Sequence, residues 1–125
     1  LYIVPARVAG YWSWELNFGG RPVTYSAIKE QRFQVVEGMV RSGNRREVLQ
    51  DMKLRGEDIS FTLMMTIDGV GFVRHAFRGK VQGETIVGTA SVSLPPHEKT
   101  LELPWRARMT PNSAYFAPTG TAGVQ

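Results

Sequence analysis

The chain has 125 residues, 42% of them hydrophobic and 21% charged, a balance that fits one globular domain. A domain of this length buries roughly two thirds of the surface its unfolded chain exposes, so it needs no covalent staples. It contains no cysteine, which excludes disulfides, thiolate metal sites and a cysteine nucleophile, and its formal charge of +4 is spread along the chain rather than gathered into a nucleic-acid footprint.

Period-2 alternation, interrupted by turn chemistry, runs through most of the sequence. Val8, Gly10, Trp12, Trp14, Leu16 and Phe18 share one face of a first strand, with Ser13, Glu15 and Asn17 opposite. "FGGRP" turns the chain, and Val23, Tyr25 and Ala27 give a second, weaker strand. Phe33, Val35 and Met39 belong to a third, and "RSGNRR" is the next turn. "REVLQDMKL" fits one bent strand, two short strands or a helical turn, since Val48, Leu49 and Met52 also match a helical face.

After the "RGED" turn, Ile59, Phe61, Leu63 and Met65 alternate with Ser60, Thr62 and Met64. "DGVG" leads into "FVRHAFRGKV", "QGE" into "TIVGTASVSL", and "PPHEK" into a last strand, "TLELPWRARM". Pro104 lacks a ladder donor and is expected at an edge or a bulge. The tail, residues 111–125, reads as a flexible segment, frayed or draped over the surface. These patterns predict an all-β fold, a small antiparallel up-and-down barrel of about eight strands with a two-sheet sandwich as the alternative. The expected domain spans residues 8–110.

"TIDGVGF" mimics a glycine-rich nucleotide loop, but a strand pattern follows it rather than a helix, so it reads as a hairpin. His75 shares its face with Val73, Phe77 and Val81 and points inward; a core histidine bonded to a neighbour is the plain reading, a ligand contact the sharper one. The other histidine, His97, lies in a Pro-rich loop, and no carboxylates stand at metal spacing around either. Glu57 and Asp58 are adjacent and would point to opposite faces, which rules out a paired-carboxylate site. Arg41, Arg45 and Arg46 bracket one turn and read as a solvated hairpin tip. No catalytic, cofactor-binding or metal-ligating residue is assigned. No apolar run approaches the ~20 residues of a membrane helix.

Trp12, Trp14, Tyr25, Phe33, Phe61, Phe77 and Trp105 supply the large apolar mass, as filling or as the wall of a cavity. Gly10-Tyr11-Trp12 resembles the Gly-X-Trp element of lipocalin-like barrels, in which the Trp plugs one end. That resemblance implies a carrier of a small apolar ligand, with Trp12, His75 and Phe77 as the ligand contacts.

A second resemblance covers roughly residues 1–92. "LYIVPARVAGYW", "EQRFQVVEGMVRSGNRR", "MKLRGEDISFTL" and "FRGKVQGETIVGTASV" are similar to the β-rich C-terminal extension of a family of bacterial class I S-adenosylmethionine-dependent methyltransferases. It implies that residues 1–7 are the remnant of a preceding catalytic domain's last strand, that this domain is the partner, and that S-adenosylmethionine belongs to the parent protein. The Asp-x-Gly-x-Gly loop of such catalytic domains has no counterpart here, so no residue carries over. The compartment is left open.

Overall fold

The computed structural model describes residues 3–33, 35–96 and 99–111. His97 and the tail from residue 112 onward lie outside them, as do Gln34 and residues 1 and 2 of the opening stretch. Nine strands follow one another: β1 (Gly10–Phe18), β2 (Arg21–Arg32), β3 (Val35–Ser42), β4 (Arg45–Val48), β5 (Gln50–Arg55), β6 (Asp58–Ile67), β7 (Gly71–Gln82), β8 (Thr85–Ser93) and β9 (Thr100–Met109). They form one antiparallel sheet in the order β4-β3-β2-β1-β9-β8-β7-β6-β5.

Short hairpins build this order because the turn residues allow it. Gly19 and Gly20, both at positive φ, make the two-residue connection between β1 and β2 whose twist matches the strands it joins. The Asp68–Val70 stretch is likewise the hairpin turn between β6 and β7, in register from Asp58↔Lys80 to Ile67↔Gly71.

The two ends of the strand order, β4 and β5, are neighbours in sequence, separated by Leu49 alone. β4 pairs with β3 and β5 with β6, so the segment 45–55 bridges the open sheet and nearly closes it into a barrel. Of the readings open for "REVLQDMKL", two short strands are realised. Leu49 marks the corner, where its N–H donates to Gly38 O at 2.9 Å. Beyond it the β5–β6 register shifts between Gln50 and Lys53, with Asp51 at φ 52°. Counted by wall segments, the barrel matches the expected up-and-down architecture.

The interior is apolar and continuous. Trp14, Leu16, Tyr25, Phe61, Leu63, Phe77 and Trp105 are all buried. Trp14 stacks on Tyr25 at 5.5 Å between centroids, Phe61 on Phe77 at 4.8 Å, and Trp105 meets Phe77 at 4.8 Å. Such offset and edge-on ring contacts add about 0.5–1.5 kcal/mol each to the burial of the rings.

One expectation fails and another is met only locally. Phe33 is no part of the filling: it sits in the β2–β3 turn at φ 56° and is 79% exposed, while Val35 and Met39 face outward and Val36 and Val40 take the inward places on β3. The turn at Phe33 resets the parity that a straight reading assumes. Pro104 carries no bulge, since β9 pairs with β8 without a shift, but it sits on a locally open edge: β1 pairs with β9 only at Trp12↔Met109 and Ser13↔Arg108. Thr110, of the same parity, sends its N–H to Tyr11 O on β1, so the donor missing at Pro104 falls on the side where β1 has already diverged.

Candidate functional site

Three groups of residues carry polar or exposed features that simple barrel packing does not require. The first is the pair Tyr25 and His75. Both are inward positions, on β2 and β7, and the Tyr25 hydroxyl lies 2.7 Å from His75 Nε2. His75 Nδ1 is 2.9 Å from Leu63 O, its cross-strand neighbour on β6. A carbonyl can only accept, so Nδ1 carries the proton and Nε2 accepts from Tyr25. Burial lowers the His75 pKa to about 4, against the opposing pull of hydrogen bonds with the Leu63 and Val73 backbone, and the ring is neutral at pH 7. Burial also raises the pKa of Tyr25. Every polar atom of this pair is used.

The second group centres on Lys29, the next inward position on β2 after Ala27. It is fully buried, and its Nζ has no hydrogen-bond partner among the described residues. Three aromatic rings surround it, with centroids at 4.9 Å (Trp12), 5.2 Å (Phe61) and 6.0 Å (Trp14). Desolvation lowers its pKa to about 7. The indole N–H groups of Trp14 and Trp105 are buried without acceptors in the same interior. Cation–π contacts offset part of the desolvation, but not that of an ammonium with three unmet donors.

Trp12 differs from the other two tryptophans: its Nε1 donates to Val8 O at 2.8 Å, tying it to the segment before β1. That segment closes one barrel end. Ala6 N–H donates to Gly56 O, and the Gln31 side chain bridges Ala6 O and Val8 N.

The third group lies on the outside at that end. Val4 is 74% exposed, Phe33 79% and Val35 62%. Val4 and Phe33 share a cleft of about 350 Å³ with Pro5, Arg7, Ala9 and Gln31. A bulky side chain held at positive φ is strained and worth explaining.

Of the residues named from the sequence, His75 and Phe77 come together, with parallel rings 5.5 Å apart, and Trp12 lies against Lys29. Lys29 and the hydroxyl partner of His75 are missing from that reading. The signal for Lys29 was the parity of Val23, Tyr25 and Ala27 carried one step further. Arg45 is paired with Asp68 at 3.2 Å across two turns, and Arg41 Nε donates to Gly43 O; at such exposure these contacts contribute little. Among the described residues, no three His, Asp or Glu side chains gather as a metal would require, and no helix is long and apolar enough to cross a membrane.

The fold and these groups define a small antiparallel barrel with an apolar interior that holds a few buried polar groups, and with exposed apolar residues at one end. Comparison with protein-family models, with curated proteins and with solved structures finds no match to this chain.

Proposed function

We propose that this chain is a non-catalytic accessory barrel that packs against a catalytic domain, and that the domain is the S-adenosylmethionine-dependent methyltransferase implied by the resemblance of its opening stretch and hairpins. The observation that carries this reading is the pair of exposed apolar residues Val4 and Phe33, which share a cleft with Pro5 and Ala9 beside the segment that closes one barrel end, with exposed Val35 two residues beyond Phe33. Exposed apolar groups clustered in this way mark contact surfaces. A strained, solvated phenylalanine at a hairpin tip is unfavourable in isolation and reasonable when a partner covers it. In this reading the methyl donor belongs to the catalytic domain, and the barrel shields or positions substrate.

The test is hydrogen exchange, read by mass spectrometry, on the barrel alone and joined to that catalytic domain. Residues 3–9 and 31–36 should exchange more slowly in the joined form, and Phe33→Asp should remove the difference. Equal exchange in both forms, or tight calorimetric binding of S-adenosylmethionine by the barrel alone, would overturn the reading.

A second reading, a lipocalin-like carrier of a small apolar ligand, is supported by one observation: the unpartnered amine of Lys29 inside the barrel.

A further inference from the structure

Lys29 is placed by the sheet rather than tolerated by it. Its cross-strand neighbours are glycines on both sides, Gly10 on β1 and Gly38 on β3. A Cβ at Gly38 would stand 3.3 Å from Lys29 Cγ, 3.0 Å from Leu49 Cδ1 and 2.8 Å from Ile28 O. The missing side chain is what lets the lysine stem fold inward and Leu49 close over it. Leu49 is the corner between β4 and β5, where its bond to Gly38 O is the last tie to β3 beyond the β3–β4 ladder.

Outside this corner lies a cleft of about 600 Å³, lined by Val36, Gly38, Leu49 and Met52 with Glu30 and Glu37 at its rim. Leu49 and Gly38 thus have the cleft on one side and the Lys29 stem on the other.

The chemistry on the two sides of this corner selects the visitor. Two carboxylates at the rim disfavour an anion, and a basic amine at the far end disfavours a cation. The walls are aliphatic outside and aromatic inside. What remains is a neutral apolar molecule with an electrophilic or acceptor atom for the amine.

We propose that Lys29 is a carbonyl-capturing amine, reached past Leu49 and Gly38 at the β4–β5 corner, that holds a small apolar aldehyde as a reversible imine. The Nζ lone pair attacks the carbonyl carbon; the C–N bond forms as the C=O π bond breaks, and one amine proton moves to the oxygen. The carbinolamine then loses its hydroxyl together with the second amine proton as water, leaving the C=N bond. No oxidant or further reactant is needed. The N–H of Trp14, unpartnered and on a ring centred 6.0 Å from Nζ, is available to the oxygen of the carbinolamine. A desolvated lysine in an apolar site is an activated nucleophile at neutral pH, which the lowered pKa of about 7 supports. Lys80 shows the contrast: its hydrogen bond to Asp58 raises its pKa and holds it protonated.

The chain has four lysines, at positions 29, 53, 80 and 99, so the test is selective. The protein is incubated at pH 7.5 with benzaldehyde and cyanoborohydride, which reduces an imine to a stable amine, and mapped by peptide mass spectrometry. Lys29 should be alkylated at least about tenfold faster than each of the other three, because its far larger free-amine fraction at pH 7.5 outweighs its restricted access. Leu49→Ala should speed its labelling, and Lys29→Met should remove that adduct while the protein stays folded. Labelling confined to the other lysines in both wild type and Leu49→Ala would overturn the proposal. So would labelling of Lys29 only at the rate of global unfolding, raised in step by urea. Saturable binding of benzoate without a benzaldehyde adduct would make this an anion site and overturn it too. The outcome is independent of whether the Val4–Phe33 rim docks on a catalytic domain.

Discussion

Tyr25 and Lys29 lie on the same face of β2, point into the same barrel and are both closed off from solvent. The donors of Tyr25 and His75 both have acceptors: the phenol meets His75 Nε2, and His75 Nδ1 meets Leu63 O. The Lys29 Nζ has none: it faces three rings, one of them Trp12, whose own N–H is met by Val8 O, while the N–H groups of Trp14 and Trp105 are unmet as well. A satisfied buried pair rigidifies a core, whereas an unsatisfied one is destabilising and persists when something else requires it. The comparison separates a structural polar group from a candidate site within one strand, on hydrogen-bond accounting alone.

Trp14 is the ring between the two regions, stacked on Tyr25 at 5.5 Å and centred 6.0 Å from Lys29 Nζ. It also meets Phe77 and Trp105 edge-on. Trp14→Ala should therefore have the largest effect, a loss of about 3–5 kcal/mol in denaturant unfolding. If the contrast holds, the variant also admits water beside Lys29, and the pH dependence described next becomes shallower.

Lys29→Met should act in the opposite direction. Replacing a buried, unpaired charge with an apolar side chain of similar length should stabilise the fold by about 1–4 kcal/mol at pH 7. The sign with pH follows from linkage. The folded pKa of about 7 lies below the ordinary lysine value of 10.5, so between these limits the unfolded chain binds more protons than the folded one. Stability of the wild type should rise with pH there, by about 2 kcal/mol from pH 7 to pH 9. Above pH 10 the raised pKa of Tyr25 reverses the trend, because the unfolded phenol then ionises first. In Lys29→Met the rise from pH 7 to 9 should disappear. Its persistence in chemical denaturation across that range would show that Lys29 is not its source.

Alternation made most of the fold legible. Trp12, Trp14 and Leu16, like Ile59, Phe61, Leu63 and Met65, point inward as period 2 requires, and glycines at the hairpins mark where strands end. What was hidden follows from three physical causes. Lysine is rarely buried, so its residue type suggests the outer face even where parity places it inside. Phe33 is apolar and suggests the core, but the turn beneath it changes the parity. Ring closure at Leu49 is a tertiary event: Val48, Leu49 and Met52 suit a helix face as well as a corner, and only the pairing of β4 with β3 and β5 with β6 decides between them. The Tyr25–His75 bond joins strands 50 residues apart, a contact no local pattern encodes.

The smallest effect expected here tests the satisfied side of the comparison. His75 has a folded pKa of about 4, below the ordinary histidine value of 6.5, so the unfolded chain takes up a proton first as the pH falls. The stability that neutral His75 contributes is complete above pH 6.5 and is lost progressively toward pH 4. Between pH 6.5 and 5.5 the loss should be about 1 kcal/mol. His75→Phe should flatten this window and leave the rise from pH 7 to 9 unchanged, since that belongs to Lys29. Urea melts at pH 5.5, 6.5, 7 and 9 on wild type and variant read both slopes together. If His75→Phe altered the alkaline slope as much as the acid one, the two regions would form one coupled network, and hydrogen-bond accounting could not tell them apart.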